Sequence, residues 1–177
     1  MDYRYYYTME YLPTRYEANS REWDNRRAVW NFKDGMCSSS VLQDMADIVD
    51  RIVGGRRSDY VICFIPASTA SKTTNRYSSV ARRLTERTGV QATLFAISKT
   101  SDTESGYIAG KSSNPTADFC FNPSAFRGKK VILVDDVITR GRTFVQTANK
   151  LMSNGASSVE GLFVAKTVNP DLNTMVA

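Results

Sequence analysis

Four short apolar runs, bounded by turn residues and separated by helix-patterned segments, leave this chain few folds to adopt. DYVICFIP (59–66), VQATLFAIS (90–98), KKVILVDD (129–136) and SSVEGLFVAKTV (157–168) are the runs. Their near-continuous apolar character suits strands buried on both faces. Ahead of the first run, SSSVLQDMADIVDRIVGG (38–55) carries Leu42, Met45, Ala46, Val49, Ile52 and Val53 at helical spacing. Ser38 to Ser40 offer N-caps and Gly54 or Gly55 a stop. RYSSVARRLTERTG (76–89) reads as a second helix closed by Gly89, and Thr143 to Asn154 as a third before Gly155. Strand–helix alternation from residue 38 onward implies an α/β fold: a three-layer arrangement with a parallel sheet flanked by helices. Residues 67–75 (ASTASKTTN) are expected to be a polar loop, and residues 99–118 a long loop rich in Gly, Ser, Asn and Pro. A loop of that length inside a compact domain is usually functional or mobile.

Residues 1–35 read differently. Tyr3, Tyr5, Tyr6, Tyr7, Tyr11 and Tyr16 crowd the start, followed by Trp23 and Trp30. Alternation in YRYYYTMEYL suggests a strand. The segment is either an aromatic edge packed on the core or a small hood that stacks on a planar ligand. The expected division is therefore 1–35 as an aromatic-rich hood or flap and 36–177 as the core domain.

Composition narrows the chemistry. The chain has no histidine, and its three cysteines, Cys37, Cys63 and Cys120, form no close pair. That argues against a zinc site or a Cys-His nucleophile and suits a reducing, cytoplasmic setting. No run approaches the roughly 18 apolar residues of a membrane span, and no signal-peptide pattern opens the chain. The net charge of +5 suits an anionic partner. Because the basic residues are scattered, a small phosphorylated ligand ranks ahead of nucleic acid.

In open α/β sheets, ligands bind beyond the carboxyl ends of the strands. Asp135 and Asp136 fall there, before the loop VITRGRT and a helix. A helix N-terminus offers unpaired N–H groups and partial positive charge. Gly141 permits close backbone approach, and Thr139 and Thr143 add hydroxyls, so the loop is a phosphate cup. The neighbouring carboxylates suit a vicinal diol or approach to a hard cation such as Mg²⁺. Phosphate, diol and Mg²⁺ together describe a ribose phosphate.

Residues Val131–Thr143 resemble the phosphoribosyl-diphosphate (PRPP) motif of type I phosphoribosyltransferases, and the likeness runs from about residue 58 to 166. It is closest to the competence-type (ComF-like) and orotate-type members. The resemblance implies the Rossmann-like type I phosphoribosyltransferase fold, with residues 1–35 as the small N-terminal hood. It also implies that Asp135 and Asp136 hold the ribose hydroxyls and reach a PRPP-borne Mg²⁺ indirectly. The PRPP-binding residues would be Asp135, Asp136, Val137, Ile138, Thr139, Arg140, Gly141, Arg142 and Thr143, with 139–143 on the 5′-phosphate. Ala67, Ser68, Thr69, Ser71, Lys72 and Arg76 would face pyrophosphate. Lys99 and Lys111, in the place of the family's catalytic lid, would neutralise the leaving group, so the catalytic set is Asp135, Asp136, Thr139, Lys99 and Lys111. The implied reaction transfers phosphoribose from PRPP to a nitrogenous acceptor, a base or amine, and releases pyrophosphate. Thr139 stands where hypoxanthine-type members carry a proposed aspartate base, which argues against a 6-oxopurine acceptor. A homodimer is compatible with the family. Two other motifs fail on register: ESGYIAGKSS lacks the first P-loop glycine, and LVDD lies too late for a receiver domain. The rival reading is a non-catalytic PRPP-binding regulator, a class that includes nucleic-acid binders.

Overall fold

The computed structural model describes residues 3–100 and 114–170. In chain order the elements are β1 (Tyr5–Tyr11), α1 (Ser20–Lys33), α2 (Ser39–Val53), β2 (Tyr60–Phe64), α3 (Ala70–Thr88), β3 (Ala92–Thr93), β4 (Ile97–Lys99), β5 (Phe119–Phe121), β6 (Lys130–Ile138), α4 (Arg142–Ser153) and β7 (Ser158–Thr167). Five strands form one sheet in the order β1-β7-β6-β2-β3, and β4 and β5 form a separate pair. Every ladder of the large sheet is parallel, while β4 and β5 run antiparallel.

Period-two alternation sends the core strands' side chains to two faces. Ile62, Phe64, Ile132, Val134, Leu162 and Val164 pack under α1, α2 and α3, against Phe32, Leu42, Met45, Tyr77 and Leu84. Val61, Cys63, Val131, Leu133 and Phe163 pack on the other face against Ile97, Phe126, and the α4 residues Phe144, Ala148 and Leu151. All five residues of β2 are buried, which is why that run is apolar without alternation. Removing each such side chain from water contributes about 1.5–3 kcal/mol. The expected α/β three-layer architecture is therefore the observed one. No helix among the described residues is long and apolar enough to cross a membrane.

Helix ends follow local chemistry. Ser38 caps α2 by accepting from the Val41 N–H, and Gly54 ends it in the left-handed region. Thr69 caps α3 by accepting from the Lys72 N–H. Ser71 and Lys72 therefore lie in a helix rather than in the expected polar loop, because the cap outweighs the polarity of the first turn. The run VQATLFAIS does not make one strand. It contributes two residues to the sheet, turns at residues 94–96, and continues as β4. The apolar signal is the same on both sides of the bend because Ala96 and Ile97 are buried too, in the core on the α4 side.

Within residues 1–35, β1 is the edge strand paired with β7, and α1 packs on the sheet face shared with α2 and α3. The α1 helix begins with a capping box, Asn19 accepting from the Glu22 N–H and Glu22 from the Asn19 N–H. Its Arg26 is 1% exposed and donates to the carbonyls of Leu12, Pro13 and Tyr16, each at 2.8 Å. Three charge-assisted bonds thus fold the β1–α1 connection around one guanidinium.

At the end of α1 the chain is clamped to α3. Gly35 has φ +81°, and a Cβ there would lie 2.2 Å from the Asn75 carbonyl oxygen; the Asn75 amide donates to the Asp34 carbonyl at 3.2 Å. Gly35→Ala meets both a left-handed backbone and a backbone clash, so it is expected to destabilise by about 2 kcal/mol or more. Thermal denaturation should show a fall in Tm of roughly 4 °C or more; an unchanged Tm would refute the close α1–α3 approach.

Candidate functional site

β2 and β6 run parallel and side by side; β2 ends at Phe64 opposite Val134, the Ile65 N–H donates to the Val134 carbonyl at 3.0 Å, and β6 continues to Ile138. Both following loops therefore open on one sheet edge. After β6, Gly141 occupies the N-cap of α4 at φ +70°, and no side chain caps the helix. The first-turn N–H groups of α4 are left for an anion to engage. A cavity of about 310 Å³ is lined by residues 137–144 together with Asp135 and Phe163. Thr139 is exposed, and its hydroxyl is 2.8 Å from that of Thr167.

The acid pair is held in an unusual way. Pairing of β6 with β7 runs through Asp135 opposite Phe163 and resumes at Val137 opposite Ala165. The β1–β7 ladder skips the same row, passing from Tyr7–Phe163 to Met9–Ala165. Side chains take over there. The Asp136 N–H donates to Asp135 Oδ1 at 2.8 Å and the Val137 N–H to Asp136 Oδ1 at 2.6 Å. Thr8 Oγ1 donates to the Val164 carbonyl at 2.7 Å. Regular alternation would send Asp135 and Asp136 to opposite faces, yet both reach α3. Tyr77 donates its hydroxyl to Asp135 Oδ1 at 3.0 Å. Arg76 Nη1 lies 3.0 Å from Asp136 Oδ2 and 4.0 Å from Asp135 Oδ1. Lys33, the last residue of α1, brings Nζ to 3.8 Å from Asp136 Oδ2. Burial, and then the Asp136 charge, push the Asp135 carboxyl up to about 7. Burial likewise pushes the Tyr77 hydroxyl well above its usual range, so Tyr77 is a donor at neutral pH.

The other anticipated site residues divide. Ala67, Ser68 and Thr69 lie in the β2–α3 loop, where the buried Ala67 N–H donates to Thr73 Oγ1 at 3.0 Å. Ser71 and Lys72 are exposed on the first turn of α3. Arg76, anticipated on pyrophosphate, is instead engaged by the acid pair, and its Nε is buried without a hydrogen-bond partner. Lys99 pairs with Asp118 at 3.8 Å and does not line the motif cavity. Lys111 lies outside the described residues, as does most of the 99–118 loop. Cys63 and Cys37 are buried, which pushes their thiols up to about 12 and about 11 and disfavours the thiolate. Sequence reasoning missed Lys33 altogether, because α1 shows no clear apolar stripe and its basic residues read as a solvated face. Tyr77 was read only as part of the second helix pattern; the consecutive Arg76-Tyr77 pair near the start of α3 was the available signal.

No group of three or more metal-ligating side chains occurs among the described residues. The two carboxylates already face Arg76 and Lys33. The donor set therefore does not fit an Mg²⁺ ion bound by the protein alone.

No protein-family model matches the chain, and no curated protein matches it. Among solved structures, an HPRT asparagine mutant made to analyse an invariant aspartic acid is similar at TM-score 0.51 and 11% identity, covering 78% of this chain and 76% of that one. The allosteric regulatory enzyme of purine biosynthesis is similar at TM-score 0.50 and 16% identity, covering 77% of this chain and 30% of that one. This chain thus spans less than a third of that enzyme's length. These likenesses establish the fold, the α/β architecture of type I phosphoribosyltransferases.

The raised Asp135 carboxyl carries a pH signature. Its folded value, about 7, lies above the ordinary 3.8, so the folded state holds the proton more tightly than the unfolded chain. The resulting penalty is absent below pH 4, grows as pH rises towards 7, and is complete above it. Asp135→Asn is isosteric and still accepts from Tyr77. It is expected to stabilise the unliganded protein by on the order of 2 kcal/mol at pH 8, with the gain vanishing near pH 4. Paired denaturant titrations at the two pH values measure the difference; an equal effect at both would contradict the assignment.

Proposed function

We propose that this protein binds PRPP and transfers its phosphoribosyl group to a nitrogenous acceptor, releasing pyrophosphate. The observation that carries the reading is the cavity in which the uncapped α4 N-terminus, the 139–143 loop and Asp135 share one wall. A phosphate fits the helix N-terminus and a ribose diol fits the carboxylates, a short distance apart on one strand-loop-helix unit. In this reading the 139–143 backbone and the Thr143 hydroxyl hold the 5′-phosphate, Asp135 and Asp136 accept from the ribose hydroxyls, and residues 67–72 face the diphosphate. Mg²⁺, carried on the diphosphate, would supply neutralising charge for the leaving group; the carboxylates meet it only through PRPP. The chain's own contribution is positioning, charge stabilisation and exclusion of water, which require no covalent nucleophile. Lys99 and Lys111 remain the proposed cations for the departing pyrophosphate. The acceptor is a base or amine other than a 6-oxopurine, since Thr139 carries no carboxylate. The unbridged thiols support a cytoplasmic setting.

A second reading, a PRPP-binding regulator without useful catalysis, is favoured by one observation: Lys99 is ion-paired with Asp118 rather than directed into the cavity. Calorimetric titration of PRPP with Mg²⁺, repeated across purine and pyrimidine bases with pyrophosphate release followed, separates the readings. Binding with release for one base establishes the transferase and names its acceptor. Binding without release for any base favours the regulator, and no binding refutes both.

Asp135→Asn with Asp136→Asn is expected to abolish measurable PRPP binding while circular dichroism still reports a folded chain. Thr143→Ala should weaken PRPP by roughly tenfold, the loss of one hydrogen bond to a charged group. Wild-type affinity in the double variant would remove the site assignment.

A further inference from the structure

The acid pair does not stand alone: two carboxylates meet two side-chain cations from two different helices. Asp136 Oδ2 faces Arg76 Nη1 of α3 at 3.0 Å and Lys33 Nζ of α1 at 3.8 Å, and Arg76 also lies 4.0 Å from Asp135. The Arg76, Asp135 and Asp136 side chains are only 18%, 18% and 12% exposed, Lys33 45%. At these distances and this burial, charges act strongly on one another. Two further features show that the placement is built. The Arg76 Nε is buried without a partner, so the guanidinium is oriented towards the carboxylates at the cost of leaving its own N–H unpaired. The Gly35–Asn75 contact pins the end of α1 to α3, which brings Lys33 within reach of β6.

We propose that Arg76 and Lys33 are positioning residues, the resident cations of Asp135 and Asp136, which hold both carboxylates as diol acceptors and exclude a divalent cation from them. The cluster is close to neutral, so a bound Mg²⁺ would face Arg76 across a few ångströms with little net charge to attract it. A vicinal diol needs only acceptor oxygens, and those are fixed in place. Residues 1–35 belong to the site in consequence, through Lys33. The diol part of this inference rests on the ribose-phosphate reading; the exclusion of a divalent cation does not.

The test uses the full chain and Mn²⁺ alone as the first probe, with free Mn²⁺ counted by electron paramagnetic resonance. The wild type is expected to take up no Mn²⁺ at the carboxylates. Lys33→Met with Arg76→Met should tighten Mn²⁺ by at least about tenfold, the consequence of removing like charge a few ångströms away, and Asp135→Asn added to that pair should abolish the gain. Arg76→Lys, which keeps the charge, should still exclude the ion. Lys33→Met alone changes a half-exposed side chain and retains the fold; it should show a smaller gain in the same direction. Mn²⁺ uptake by the wild type that Asp135→Asn removes, or no gain in any folded Met variant, would overturn the proposal. A second arm compares ribose 5-phosphate, 2-deoxyribose 5-phosphate and inorganic phosphate. In Lys33→Met the preference for the ribose compound over the deoxy compound should fall while inorganic phosphate binding is unchanged. A preference that survives unchanged overturns the diol part. If the wild type binds none of the three, the proposed function fails while the Mn²⁺ arm still decides the cation clamp.

Discussion

The contact between Arg76 and Asp136 ties together three parts of this protein: strand β6, helix α3 and, through Lys33, helix α1. It depends on a lapse in the sheet. One row, Thr8, Val164 and Asp136, is skipped by the β1–β7 and β6–β7 ladders, and carboxylates and a threonine hydroxyl replace the lost partners of the backbone. Without that break, alternation would point adjacent aspartates to opposite faces. With it, both carboxylates turn to the same helix. Irregular strand geometry re-aims side chains in this way.

Everything around that row is conventional, and it has to be. A parallel sheet with both faces covered can tolerate a gap in its ladder because buried residues hold the central strands on either side of it, with Ala165 0% exposed just above. Val134 and Leu162 are 0% exposed just below the gap. The rigid sheet then fixes where two loops emerge. The β6–α4 loop leaves backbone N–H groups of the α4 first turn uncapped by any side chain, behind the left-handed Gly141. The β2–α3 loop spends its backbone donors differently, since Thr73 satisfies the Ala67 N–H. The two loops at one edge are therefore not equivalent as anion sites.

Much of this was legible in the residues. The cap at Ser38, the stops at Gly54 and Gly89, and the apolar runs of β2, β6 and β7 are local signals, and the structure uses them; the cap at Thr69 was hidden by the polarity of the first turn of α3. The Asp-Asp pair and the loop through Thr143 were legible for the same reason: one continuous stretch supplies the strand, the loop and the helix start. Three features were not. The bend that splits VQATLFAIS leaves no mark because apolar residues on both sides of it, Val90 before and Ile97 after, are fully buried. Helix α1 shows no clear apolar stripe, since its inward face includes Arg26, a charge that is buried by three carbonyls far from it in sequence. Lys33 gave no sign of its role because its partner lies about a hundred residues away.

The sequence by itself determined the layered α/β architecture, the order of the main helices and strands after residue 38 apart from the β3–β5 segment, and the strand-loop-helix unit at 131–143. These depend on hydrophobic period, caps and turn residues, which act over a few neighbours along the chain. Only the tertiary structure decided that the tyrosine-rich start joins the main sheet as its edge strand, that Arg76 faces the aspartates rather than the β2–α3 loop, and that Lys33 stands beside them. Those outcomes are charge and packing relations between segments distant in the chain. No local pattern encodes them, because the energy that selects them exists only once the sheet has brought the segments together.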